Sequence, residues 1–301
     1  MRKFLLCFLF LAIISVFNLY AADKIDDIMN TVRSRNESGV SSASLQTKVA
    51  SYLTSFNSTT GEFNDIDYTS TATTNWAPVT HLDRIAIFAL AYTKSGNSYY
   101  QDTNLYNNII QALEFWNAAH PTSTNWWNIK ILVPKTLGVI LIQMRYGQNK
   151  VSADLENRLM AQMEADYTVG PNTLENQEGA NLTDLATGFF YRACLRKDET
   201  ALNSALENAF KPLTIASVGQ EGIQYDNSYT QHGPQLYIGG YSEELIKGII
   251  NFALNVAGTE YALGGEKLAT LSNYVRNTYL KALRGQYIHY NAMGRSVSRN
   301  G

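Results

Sequence analysis

The sequence predicts an all-α fold, with layered helices sharing one hydrophobic core. Three observations predict it. Apolar residues recur at i, i+3, i+4 and i+7 in segment after segment, the stripe that an amphipathic helix buries. Strand-type alternation is scarce, and no linker with a shift in composition divides the 301 residues. About ten helical segments joined by short connections read as one layered domain.

In chain order, the first two segments are 24–35 and 44–56. His81 to Tyr92 then sets Leu82, Ile85, Ala86, Ala89 and Tyr92 on one stripe, and a further segment covers 103–119. Asn128 to Tyr146 aligns Ile129, Leu132, Val133, Leu137, Ile140, Leu141 and Met144. Three more follow at 153–166, 182–196 and 200–210. Tyr241 to Val256 carries Leu245, Ile249, Phe252, Ala253 and Val256, with Ser242 expected as its N-cap. Glu266 to Leu283 closes the series through Leu268, Leu271, Val275, Tyr279 and Ala282. One stretch resists. Ile223 to Tyr241 alternates weakly but is rich in Gly, Asp, Asn, Gln and Tyr, which predicts a long shaped loop rather than a sheet.

The chain start points to export. Arg2 and Lys3 precede an apolar run from Phe4 to Phe17, and Ala21-Ala22 comes before Asp23-Lys24. That order is a secretory signal, and the run is short for a membrane span. Residues 1–22 are therefore expected to be removed, with an uncleaved anchor as the alternative, and the protein to be secreted or periplasmic. Cys7 leaves with the signal, so Cys194 can form no internal disulfide and reads as a buried, small apolar residue. The 26 acidic residues outnumber 24 basic ones, which argues against nucleic-acid binding. After signal removal no membrane contact is expected, and the chain is expected to be a monomer. The mature histidines, His81, His120, His232 and His289, have no metal-site spacing, so no metal or other cofactor is expected.

Four loop clusters combine polar and aromatic groups that a core does not favour. They are Asn125-Trp126-Trp127-Asn128, Asn176 to Asp184, Asp226 to His232 continuing to Tyr241, and Gly294 to Arg299. Each has a bland reading. Trp126 and Trp127 can be core residues, Asn181 a helix cap, His232 a structural histidine, and Arg295 and Arg299 solvated charges.

Their combination and order carry more. Asn125-Trp-Trp-Asn128-Ile-Lys-Ile with Pro134, then Gly179-Ala-Asn181-Leu-Thr-Asp184, lead into Tyr225-Asp-Asn-Ser-Tyr-Thr-Gln-His232 with Tyr241 nine residues on. The series ends at Gly294-Arg295-Ser-Val-Ser-Arg299. In these motifs the sequence resembles polysaccharide lyase family 8, the hyaluronan, chondroitin and xanthan lyases. The resemblance implies an incomplete (α/α) toroid of helical hairpins over residues 23–301, around a cleft for an acidic polysaccharide. It also implies roles. Asn181 holds the uronate carboxylate, and His232 and Tyr241 handle protons. Arg295 sits beside the tyrosine, while Trp126, Trp127, Asn128 and Arg299 bind the sugar chain.

Those residue types suit β-elimination, the reaction of a carbon–oxygen lyase acting on polysaccharides. Removing the C5 hydrogen of a uronate builds charge on its carboxylate, which a side-chain amide such as Asn181 can stabilise. Expulsion of the 4-linked oxygen leaves a C4=C5 double bond. Free tyrosine has a pKa of about 10, and a neighbouring guanidinium favours its phenolate. Tyr241 then serves as acid and base with His232 assisting, although His232 as base stays open.

Family members continue past the arginine motif into β-sandwich domains, whereas this chain stops at Arg299-Asn300-Gly301. The expectation is a lyase catalytic domain lacking those domains. One alternative is a non-catalytic glycan-binding module. Another is a hydrolase using a carboxylate pair drawn from Glu178, Asp184 and Asp226.

Overall fold

The structure, a computed structural model, describes residues 24–168 and 172–298, so the expected signal at 1–22 and Arg299 lie outside the described residues. The helices sort by how many faces they bury. In α7 (Gly179–Arg196) fourteen of 18 residues are buried, and in α5 (Val133–Met144) nine of 12. In α2 (Ser42–Leu53) only Leu45 and Val49 are. A helix buried nearly all round needs neighbours on both sides. An inner arc supplies them: α3 (Val79–Thr93) packs on α5, α5 on α7, and α7 on α9 (Tyr241–Asn255). Outside it lie α2, α4 (Thr103–Ala119), α6 (Ala153–Thr168) and α8 (Glu199–Phe210), each against an inner helix. Successive outer and inner helices form the hairpins of the toroid.

The outer helices begin on side-chain caps. Ser41 accepts from Ser44 N at 3.0 Å, Asp102 from Leu105 N at 2.7 Å and Asp198 from Ala201 N at 2.9 Å. The inner helices α3, α7 and α9 have none. The expected cap at Ser242 is thus corrected. Gly240 takes the cap position with φ of +88°, and the Ser242 hydroxyl, already inside the helix, donates back to Ile238 O.

Two long periodic runs are not plain α-helices. Asn128–Leu132 is a π-turn leading into α5, and Val133 N bonds to Asn128 O. Pro134, in the next position, has no N–H for the carbonyl four residues back, which removes one α-bond from the ladder. The run after α10 (Gly265–Tyr274) likewise passes through a π-turn at Val275–Tyr279 before α11 (Leu280–Ala282). Nothing in the sequence marks that second turn.

Strands are minimal among the described residues. In the stretch expected as a loop, β1 (Gly222–Ile223) pairs antiparallel with β2 (Tyr229–Thr230). Near the C-terminus β3 (Leu283–Arg284) pairs with β4 (Tyr287–Ile288). Helix α1, at 24–37, buries Ile25, Ile28, Met29 and Val32. Its Arg35 donates to the Asn251 carbonyl and side-chain oxygens, each at 3.0 Å, and to Asn255, so the first helix docks on α9. Cys194 is fully buried in α7, as expected, and burial pushes its thiol pKa up. No described helix is long and apolar enough to cross a membrane.

One buried histidine carries a pH dependence. His81, in α3, stacks on Trp116 with ring centroids 5.6 Å apart. Its Nε2 faces Ala112 O at 3.0 Å and its Nδ1 faces the Tyr68 hydroxyl at 2.9 Å. A carbonyl only accepts, so Nε2 carries the proton and Nδ1 is free to accept. Burial pushes the His81 pKa down to about 4. The folded state therefore refuses a proton that the unfolded chain takes up below about pH 6.5. Stability from this residue is complete above that pH and is lost as the pH falls toward 4. Urea unfolding at pH 7 and pH 5 is expected to show wild type losing about 2 kcal/mol more than His81→Phe over that interval. Equal losses in the two proteins would remove His81 as the source.

Candidate active site

The tryptophan loop is built by Asn125. Its Nδ2 donates to Thr73 O at 3.0 Å while its Oδ1 accepts from Trp127 N at 3.1 Å, which pins the loop and turns the chain into the π-segment. Asn128 is buried and donates to Ser123 Oγ at 3.0 Å. Trp126 and Trp127 are both partly exposed and packed on the core.

The loop from β2 to α9 is held by the chain's last described segment. Tyr237 N bonds back to Tyr229 O at 2.8 Å, and Gly239 N bonds to Ala292 O at 2.8 Å, with Tyr237 bridged to Met293. Gly294, at φ of +52°, leaves room for the Tyr237 ring; a Cβ there would come within 2.6 Å of it. The Tyr237 hydroxyl meets Ser296 Oγ at 3.0 Å. Through these contacts Arg295 reaches two residues far from it in sequence. Its Nη2 lies 3.0 Å from His232 Nε2 and donates to the Tyr241 hydroxyl at 3.3 Å.

Guanidinium can only donate, so His232 Nε2 is an acceptor and the imidazole is neutral, with its proton on Nδ1. The His232 and Tyr241 rings meet edge to face, centroids 4.8 Å apart at 82°. Tyr237 packs on Tyr241 in the same way at 4.9 Å and 84°. Burial works against the Arg295 charge, but the Tyr237 and Tyr241 hydroxyls outweigh it and hold the guanidinium pKa above its ordinary value.

A cleft of about 330 Å³ opens beside this trio. It is lined by Trp127, Asn181, Asp184, Tyr237, Tyr241 and Glu244 among others. Asn181 lies in the first turn of α7 and Tyr241 begins α9, so two helix N-termini without side-chain caps reach the cleft. Their positive ends favour an anion there. The structure places Trp127, Asn181 and Tyr241 along one cleft, with Arg295 bonded to both His232 and the Tyr241 hydroxyl. Trp126 is not among the lining residues.

The carboxylates considered for hydrolysis are dispersed. Asp184 lines the cleft but is tied to Lys135 at 2.8 Å. Glu178 lines a different cleft beyond Gly179, and Asp226 sits exposed on the β1–β2 hairpin, accepting from Ser228 N. One cleft residue lies outside the four loop clusters: Glu244 belongs to the first turn of α9, where an acidic residue normally only serves the helix dipole. Tyr237 lies within the third cluster, where the sequence assigns it no role. No group of three or more metal-binding side chains occurs among the described residues.

The family model for the N-terminal alpha-helical domain of polysaccharide lyase family 8 matches residues 18–301. The chain belongs to polysaccharide lyase family 8. Chondroitinase-AC of Pedobacter heparinus is 41% identical over 239 residues, which is 79% of this chain and 33% of that protein. A solved structure of chondroitinase AC lyase aligns at a TM-score of 0.83 with 36% identity, covering 93% of this chain and 40% of that one. Paenibacillus xanthan lyase shares the fold at a TM-score of 0.76 and 20% identity, over 93% of this chain and 28% of its own. The family 8 chain described here thus spans about a third of the curated chondroitinase it matches. Its helical architecture is that of the family's N-terminal domain.

Proposed function

We propose that this domain cleaves uronic-acid-containing glycans of the chondroitin or hyaluronan type by β-elimination. The observation that carries the reading is Arg295 bonded at once to the Tyr241 hydroxyl and to His232 Nε2, beside a cleft that Asn181 also lines. Under this reading the substrate carboxylate binds Asn181 near the N-terminal ends of α7 and α9, where its growing charge is stabilised. Tyr241, as a phenolate whose charge Arg295 balances, takes the C5 proton and becomes the neutral hydroxyl. The same hydroxyl returns a proton to the departing 4-linked oxygen. Because Arg295 occupies His232 Nε2, that nitrogen is not free to act as base while the contact holds, which favours Tyr241. Trp127 offers a ring for a sugar to stack on, and Arg299 completes the proposed binding set.

Ultraviolet absorbance of the purified chain with chondroitin sulfates, hyaluronan and xanthan tests the proposal. A rising unsaturated-uronate signal on one of them is the expected result. New reducing ends without that absorbance would mean hydrolysis, and binding without products would make the domain a glycan-binding module.

A further inference from the structure

His232 has a left-handed backbone, with φ of +58°, a conformation that an L-residue holds only when its surroundings impose it. One carboxylate holds the residues on either side of it. Glu221, just before β1, accepts from Gly233 N at 2.8 Å through Oε1 and from the Gln231 side-chain amide through Oε2. Those donors flank His232 on either side in the chain.

The grip extends inward. Gln231, 1% exposed, accepts from the Tyr229 hydroxyl on its Oε1 at 2.6 Å. Gly179 lies against this chain so closely that a Cβ would come within 2.3 Å of Gln231 Oε1 and 2.6 Å of Tyr229 Oη. A hydrogen-bonded path therefore runs from Tyr229, packed against Gly179 at the start of α7, through Gln231 to Glu221 and the Gly233 backbone beside His232. Each member is satisfied in only one orientation, because the carboxylate accepts twice and cannot donate.

We propose that Glu221 is a positioning residue that fixes His232 against Tyr241 and Arg295 by clamping both sides of its backbone; its catalytic consequence rests on the lyase reading above. In E221Q the single amide oxygen at 221 can accept from only one of the two donors, so its NH2 meets either the Gln231 amide or Gly233 N–H donor to donor. Turning Gln231 over to relieve this leaves the buried Tyr229 proton without an acceptor. The swap E221Q/Q231E remakes the path, since the carboxylate at 231 accepts from both Tyr229 and the amide at 221.

Both variants are to be made in the full chain and followed by turnover, thermal unfolding and NMR contacts between the His232 and Tyr241 rings. In E221Q, kcat is expected to fall about tenfold or more with KM nearly held and Tm lowered by only a few degrees, and the ring contact to vanish. The swap is expected to recover the contact and most of kcat. Retention of kcat and contact in E221Q overturns the proposal, as does global unfolding of both variants, which would make Glu221 merely structural. If the unmutated chain shows no turnover, the lyase reading fails, while the ring contact still decides whether Glu221 holds His232.

Discussion

Tyr241→Phe is expected to lower formation of unsaturated uronate by about 10²- to 10⁴-fold, the contribution of a positioned acid–base group. That corresponds to about 3 to 5 kcal/mol of barrier. The substitution is clean because the ring stays. Its edge contacts with His232 at 4.8 Å and Tyr237 at 4.9 Å do not involve the oxygen. The hydroxyl's bond is the one from Arg295, at 3.3 Å in a partly exposed position, so the cost in stability is expected to be below about 1 kcal/mol. Turnover, Tm and glycan affinity measured together check this. Near-normal turnover in Tyr241→Phe, with activity abolished in His232→Ala, would transfer the base to the histidine.

Arg295→Ala is expected to be nearly as severe, with kcat falling about 10²- to 10³-fold, as when a donor to a developing anion is removed. The reasoning is geometric. One Nη2 serves both the Tyr241 oxygen and His232 Nε2, so its loss removes the counter-charge of the proposed phenolate and frees the imidazole. Arg295→Lys is expected to recover only part of the rate, since an ammonium is a point charge without the fixed fork of guanidinium. Steady-state kinetics of the two variants provide the check. Full activity in Arg295→Ala would exclude the tyrosine–arginine pair as the catalytic unit.

How much of this was legible follows from the physics of each part. The helices were readable because most bury one face, and burial of one face writes a period into sequence. Where burial is all-round, as in α7, the period weakens; the expected start at 182 fell three residues late, missing Gly179, Ala180 and Asn181. The π-turn before α5 lay inside a run expected as one helix from Asn128 to Tyr146, although Pro134 gives it a physical cause; the turn at Val275–Tyr279 has no such mark. The loop holding His232 has no period at all. Its shape depends on Gly239 bonding to Ala292 and on Glu221 clamping Gln231 and Gly233, contacts that single-sequence patterns do not encode. Arg295 and Asn181 were named through the resemblance of their motifs, not from spacing. Glu221 was passed over because a lone glutamate before a turn looks like a solvated charge.

The docking of α1 on α9 sets an order of events during synthesis. Arg35 finds its acceptors on Asn251 and Asn255, and Lys24 pairs with Glu260, more than 200 residues later. At about 5 to 20 residues per second, the ribosome delivers α9 some 10 to 40 s after α1. During that interval the apolar stripe of Ile25, Ile28, Met29 and Val32 waits without the helix against which Arg35 will lock it. The two ends of the toroid can meet only when nearly the whole domain exists. Closure is thus a late, non-local step, and a nascent chain paused before residue 241 carries an unfinished seam for chaperones to cover.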